Sequence, residues 1–380
     1  MLVYRHAHRR SLSSLQQGTG GRQSDSGKTI TIFGATGFLG RYVVNNLGRT
    51  GWTIHIAVRG DDMEWRHLKP LCDHGKLHAH YYSAKDQDSV DACIPTGKVD
   101  VVLNLIGKQY ETKHYLPWII NNTFHDTNVL AAKAVAQSAR RNGVGHFVHL
   151  SSAKADLDSS SEWARTKAQG ELAVQTEFPG ATIVRPGTMY GAEDDFLNRI
   201  AKRCKKERVV RVVDGAEGVV RPVSVLDVAK ALTFVLNRDD LFAGEQISLL
   251  GKDEYTMKQV IEFADEILGL NKTRVFVDYD FDSPLVQAYG RLCGLFANPK
   301  WTLDQMKQWS LSDRVSDSPQ VKSWADVGVN PLKFENKAFN VLHRYRKGGH
   351  FQELRKLEAQ MRNAGPVHVS HAGPNQQQLK

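Results

Sequence analysis

The fold is decided by one unbroken stretch: Lys28-Thr-Ile-Thr-Ile-Phe33, then Gly34-Ala-Thr-Gly37-Phe-Leu-Gly40, then Arg41-Tyr-Val-Val-Asn-Asn-Leu47. The first segment is a short β-branched run and predicts a strand. The last has the apolar spacing of a helix. Between them stands Gly-x-x-Gly-x-x-Gly, in the strand-turn-helix context that a dinucleotide fingerprint requires. The first glycine permits a sharp turn, the second a close approach of backbone to a pyrophosphate, and the third tight packing of helix on strand. The free amides at the helix start, with the positive end of its dipole, suit phosphate. A glycine-rich turn that binds nothing is the alternative, and the flanks on both sides favour the first reading.

The next strand, Trp52-Thr-Ile-His-Ile-Ala-Val58, ends at Arg59, nineteen residues beyond Gly40. An acid at that place would hold the ribose 2′-hydroxyl of NAD, whereas an arginine accommodates the 2′-phosphate of NADP. Arg59 therefore predicts NADP(H). A solvated strand-end arginine is the plainer reading, and Asp61 and Asp62 follow closely.

Strand and helix patterns then alternate. Leu77–Tyr82 and Val99–Ile106 read as strands, 124–142 as an alanine-rich helix, and His146–Leu150 as a strand closed by Ser151-Ser152. Glu162–Glu177 reads as a helix, and Ala181–Arg185 as a strand before Pro186-Gly187. This rhythm predicts an α/β fold with a doubly wound parallel Rossmann sheet. Ligands of such sheets lie at the carboxyl ends of the strands. The candidate nucleotide-binding residues are therefore Gly34, Ala35, Thr36, Gly37, Phe38, Leu39, Gly40 and Arg59, with Ser83, Ala84, Leu105, Ile106, Gly107, Ser151 and Pro186 on the same rim. After about residue 195 the pattern loosens, although Val209–Val213, Ser224–Leu236, Gln246–Leu250 and Met257–Leu268 still read as elements, the last N-capped by Thr256.

The chain has 380 residues, 41% of them hydrophobic and 24% charged, which excludes a disordered or collagen-like chain. No apolar run is long enough for a transmembrane helix. Four scattered cysteines, without a CxxC pair, indicate neither a disulfide framework nor a metal site. The net charge of +9 divides into +4 on residues 1–28 and +5 on the rest. Residues 1–28 are arginine- and serine-rich with one acid, the composition of a mitochondrial transit segment or a basic disordered tail. The proposed organisation is 1–28 as that segment, 29–195 as the NADP-binding Rossmann domain, 196–363 as a smaller mixed α/β region, and 364–380 as a disordered tail. Nucleic acid is disfavoured, because no recognisable module interleaves basic and aromatic residues.

These motifs together resemble the short-chain dehydrogenases/reductases of the extended or atypical kind, over roughly 28–250. The carriers are GATGFLG after the first strand, Ser151-Ser152 after the fifth, Lys167 on the following helix, Arg185-Pro186-Gly187, and Arg221-Pro-Val-Ser-Val-Leu-Asp-Val-Ala229. In that family a tyrosine four residues before the lysine is the acid/base, the lysine holds the nicotinamide ribose, and a serine polarises the carbonyl. Here Ser152 and Lys167 are present, but Trp163 stands at the tyrosine place. An indole N–H donates a hydrogen bond and does not titrate near neutral pH. Either another group such as Tyr190 or Glu162 substitutes, or the nucleotide is bound and not turned over. The resemblance also places an acid for adenine where Ser83-Ala84 stand.

Within that family the chain looks like the branch of NADPH-binding accessory subunits of mitochondrial respiratory complex I. The likeness is carried by Gly34–Gly48, Asn104-Leu-Ile-Gly-Lys-Gln-Tyr-Glu-Thr-Lys113, Ser159-Ser-Ser161, Lys167-Ala-Gln-Gly-Glu171, Glu193–Asn198, Pro299-Lys-Trp301 and Asp326–Val329. This resemblance implies a non-catalytic subunit with a structural NADPH. It also implies other complex I subunits as partners and a peripheral place on the matrix side of the mitochondrial inner membrane, near the quinone site. A free-standing NADP-dependent reductase or epimerase is the competing expectation. Leu285–Phe296, apolar at helical spacing, and the basic run His343–Lys347 with Arg355 and Lys356 are candidate contacts to a membrane or a subunit.

Overall fold

The computed structural model describes residues 23, 25–113, 120–206, 209–213, 217–269, 275–279, 281, 283–293, 302–314 and 321–346. The transit segment (apart from 23 and 25–28), the 364–380 tail, Pro299–Trp301, and Lys347, Arg355 and Lys356 of the basic cluster lie outside the described residues.

An eight-stranded sheet organises the molecule. Its strands in chain order are β1 (Thr29–Phe33), β2 (Thr53–Val58), β3 (Leu77–Tyr81), β4 (Val101–Asn104), β5 (His146–Leu150), β6 (Thr182–Pro186), β7 (Gln246–Leu249) and β8 (Val321–Lys322). Their spatial order is 8-7-6-5-4-1-2-3, and every neighbouring pair is parallel. The first six strands thus take the doubly wound order 3-2-1-4-5-6, whose direction reverses beside β1. Two strands, β7 and β8, come from beyond residue 196.

Parallel strands covered on both faces must be apolar on both faces. β4 is buried at all four positions and β5 at all five. Helix α1 (Phe38–Arg49) packs Val43, Val44 and Leu47 on one side of the sheet, beneath the sheet residues Ile30, Ile32, Ile54 and Ile56. The stretch 124–142 is a π-turn at Asp126–Leu130 followed by α2 (Ala131–Arg141). With α3 (Glu162–Glu177), α2 covers the opposite face, where Phe33, Val102 and Phe147 are buried. The later helices are α4 (Leu197–Lys206), α5 (Val225–Asn237), α6 (Met257–Leu268), α7 (Leu303–Ser310) and α8 (Phe334–Leu342). α5 joins the α1 side, while α4, α6 and α8 form a further core around Tyr190 and Phe334. Thr256 caps α6 in a reciprocal box with Gln259, as its position before Met257 predicts. Of the stretch Leu285–Phe296, Leu285–Cys293 lies in the helix Pro284–Cys293, on which Tyr289 and Leu292 are exposed, and 294–296 lie outside the described residues. Among the described residues, no helix is long and apolar enough to cross a membrane.

Candidate functional site

The glycine turn takes its shape from sterics. Gly34 sits at φ +82°, a region that side-chain-bearing residues avoid, and a Cβ there would lie 3.0 Å from the Leu105 carbonyl carbon. A Cβ on Gly40 would collide with the carbonyl oxygens of Gly34 and Ala35. The turn delivers α1 with Gly37 as N-cap, no side-chain cap and no acid in its first turn. Its leading amides are therefore left for an anionic ligand.

Beside this turn, at the carboxyl ends of β1, β4, β5 and β6, lies a cavity of about 590 Å³. Gly34, Gly37, Phe38, Leu39 and Gly40 line one end, and Leu105, Gly107, Ser151, Ser152, Trp163, Lys167 and Pro186 line the middle. A second pocket of about 410 Å³ is lined by Arg59, Ala84 and Ile106 together with Tyr82, which the sequence reading missed. Ala35, Thr36 and Ser83 line neither: Ala35 is fully buried in the core, and the Ser83 amide donates to Ser89 Oγ at 3.0 Å. Asp61 and Asp62 are occupied elsewhere. Asp61 caps the short helix Asp62–Trp65, and Asp62 pairs with Arg66 at 3.1 Å. Arg59 is thus the strand-end residue that meets the pocket.

In the first cavity Ser151, Ser152 and Trp163 gather with Lys167. Its ammonium is buried, 3.5 Å from the Leu150 carbonyl oxygen, and a Cβ on Gly107 would stand 2.9 Å from Nζ. Burial pulls its pKa down to about 8, against the smaller upward pull of Glu171. Glu171 is held by Arg185 in a two-pronged pair at 2.9 and 2.5 Å. Ser152 Oγ accepts the Lys154 amide at 3.2 Å, whereas the neighbouring Ser151 Oγ is buried without a partner. The Trp163 indole N–H is likewise buried without a partner. Of the two proposed substitutes, Glu162 is exposed and Tyr190 is buried against Phe334, its hydroxyl pushed up by burial, and neither lines the cavity.

The cavity roof comes from far along the chain. Gln305, Gln308 and Trp309 of α7 line it. Asp304 caps α3 across the chain: its carboxylate accepts the Ser161 hydroxyl at 3.0 Å and the amides of Glu162 at 2.7 Å and Trp163 at 3.4 Å. Lys154, Lys108 and Asp194 also line the cavity and were not among the candidate site residues. Lys154 Nζ donates to the Gln308 carbonyl at 2.9 Å. Burial raises the Asp194 pKa to about 6, although its oxygens accept the Gly191 and Asn198 amides at 2.9 Å each. Among the described residues, no group of three His, Cys, Asp or Glu is placed to hold a metal ion.

The cradle at Gly34 and Gly40, the uncapped α1 start, the unpartnered Ser151 and Trp163 donors and buried Lys167 together fit a dinucleotide. Comparison with known proteins agrees. The model of the NAD dependent epimerase/dehydratase family matches residues 30–249. The chain is 36% identical over 334 residues to the rat NADH dehydrogenase (ubiquinone) 1 alpha subcomplex subunit 9, mitochondrial, covering 87% of this chain and 84% of that protein. It is 34% identical over 332 residues to the mitochondrial NADH-ubiquinone oxidoreductase 40 kDa subunit of Neurospora crassa, covering 87% and 83%. In three dimensions it resembles the crystal structure of gox2253, with a TM-score of 0.59 at 18% identity, covering 84% of this chain and 100% of that one.

Proposed function

Because the chain belongs to the NAD dependent epimerase/dehydratase family, and within it to the family of mitochondrial NADH dehydrogenase (ubiquinone) 1 alpha subcomplex subunit 9 proteins, we propose that it is an accessory subunit of complex I that holds NADPH and does not turn it over. Family membership supports the assembly. The observation that carries the rest is Trp163, one helical turn before a retained and buried Lys167 in the same cavity.

The Gly34–Gly40 turn and the α1 amides would take the pyrophosphate, Arg59 the 2′-phosphate, and Lys167 the ribose. Bound nicotinamide supplies a hydride, and reducing a carbonyl also needs a proton delivered to its oxygen. The Trp163 indole can orient an acceptor and cannot deliver that proton. The nucleotide then acts through linkage, stabilising the fold by about 2.7 kcal/mol at a hundred times its Kd. In this reading residues 29–195 supply the nucleotide contacts. Residues 196–363 close the cavity and carry contacts to neighbouring subunits and to the matrix face of the inner membrane.

The test begins with native electrophoresis of mitochondrial extract, in which the chain should migrate with a very large membrane complex. Nucleotide released by denaturing that complex should be NADPH. Purified chain should leave NADPH unoxidised with carbonyl substrates, and Trp163→Tyr should leave NADPH affinity within about twofold while restoring the missing proton donor. Monomer-sized migration, or wild-type turnover that Trp163→Tyr leaves unaltered, would defeat the reading.

A further inference from the structure

Gly191–Arg199 crosses the mouth of the glycine turn as a strap. At its near end Gly191 lies against Phe38, where a Cβ would stand 3.1 Å from the ring. The Glu193 carboxylate then reaches α1: it accepts the Tyr42 hydroxyl at 3.3 Å and lies 3.6 Å from the Arg41 guanidinium. Both partners directly follow Gly40. Burial, and after it Glu193, raises the Tyr42 pKa, so its hydroxyl stays a donor at neutral pH.

The backbone of this segment is held on both sides of Glu193. The Gly191 amide donates to Asp194, and the Ala192 carbonyl accepts from Arg344 at 2.5 Å and from Asn198 at 3.1 Å. Asp194 and Asn198 are each 5% exposed. The side chains at the contact are open to water, with exposures of 48% for Glu193 and 38% for Arg41. An exposed side chain can swing away while the backbone stays in place.

Building on the reading that this cavity holds NADPH, we infer that the Glu193 side chain is a latch across the nucleotide at the glycine turn, and that swinging it off Tyr42 and Arg41 is the step that releases the nucleotide. A latch and a mere surface charge predict opposite signs. Removing an acid near a bound anion would, by charge alone, slow release. Removing a latch speeds it.

The full chain, loaded with NADPH, is chased with excess NADP+ while NADPH fluorescence is followed. A hydrogen bond to a charged group is worth enough that Glu193→Ala should release NADPH about tenfold faster than wild type. Tyr42→Phe should show part of that acceleration. The double variant should be no faster than Glu193→Ala, since both remove the same contact. An unchanged or slower release from Glu193→Ala, with Tyr42→Phe at the wild-type rate, would overturn the latch. A wild-type chain that takes up no NADPH removes the underlying reading and the latch with it.

Discussion

Lys167→Met should stabilise the nucleotide-free protein at pH 7, although Lys167 is the residue proposed to hold the ribose. Lys167 is 6% exposed, and its pKa falls from 10.5 to about 8 because burial strips water from its ammonium. That gap corresponds to about 3 kcal/mol of penalty on the charged form, an upper bound for what methionine recovers. The sign follows from linkage. The folded pKa lies below the unfolded one, so the unfolded chain holds more protons between pH 8 and 10.5, and wild-type stability rises across that window. The advantage of the variant should shrink to about 1 kcal/mol by pH 10. NADPH should close that gap, stabilising wild type and scarcely affecting the variant, and reverse the order well above a hundred times its Kd. Urea midpoints of stripped and loaded protein at pH 7 and 10 test this. A stripped variant less stable than wild type at pH 7 would refute it.

Acid should unfold the sheet from within. His149 in β5 is 1% exposed, and burial draws its pKa down to about 3, with a smaller push from Lys167. His146 on the same strand is drawn down to about 4, again chiefly by burial. Both are held neutral in the fold. Below pH 6.5 the unfolded chain takes up protons that the folded one refuses, so stability is lost as pH falls from there toward 4. At pH 5 each histidine costs about 2 kcal/mol, about 4 kcal/mol together, a large part of an ordinary domain's stability. His149 also reaches the site. Asn104 Oδ1 accepts the Ile106 amide at 3.0 Å, which turns its NH2 toward His149 Nδ1 at 3.2 Å. Protonating that nitrogen would break the bond, and the fold resists it down to about pH 3. The urea midpoint should therefore fall steeply between pH 6.5 and 5. A midpoint constant over that range would contradict this account.

Local periodicity made most of the sheet legible. β1, the glycine turn and α1 follow one another within twenty-one residues, and each bears its own signal. β8 was not legible: its two residues, Val321 and Lys322, take their strand character from pairing with Gln246 and Ile247. The π-turn at Asp126–Leu130 also escaped, because its apolar spacing runs on into α2. Of the site, glycines and strand ends could be read from the chain, since a backbone requirement leaves a residue-type trace. Lys154 and the α7 roof could not, because an isolated lysine or glutamine takes its role from distant neighbours.

Asp304 has a consequence for the order in which the molecule is made. It closes the first turn of α3, the helix bearing Trp163 and Lys167, from more than 140 residues downstream. Contacts so distant along a chain form late, after nearer pairings have paid for chain closure. Synthesis proceeds from the N-terminus, so a chain stopped before Asp304 can pair β1 with β2 and β4 yet lacks the cap that completes α3. Completion of the helix that carries Trp163 and Lys167 thus waits on the last third of the polypeptide having arrived and folded, a built-in inspection of completeness.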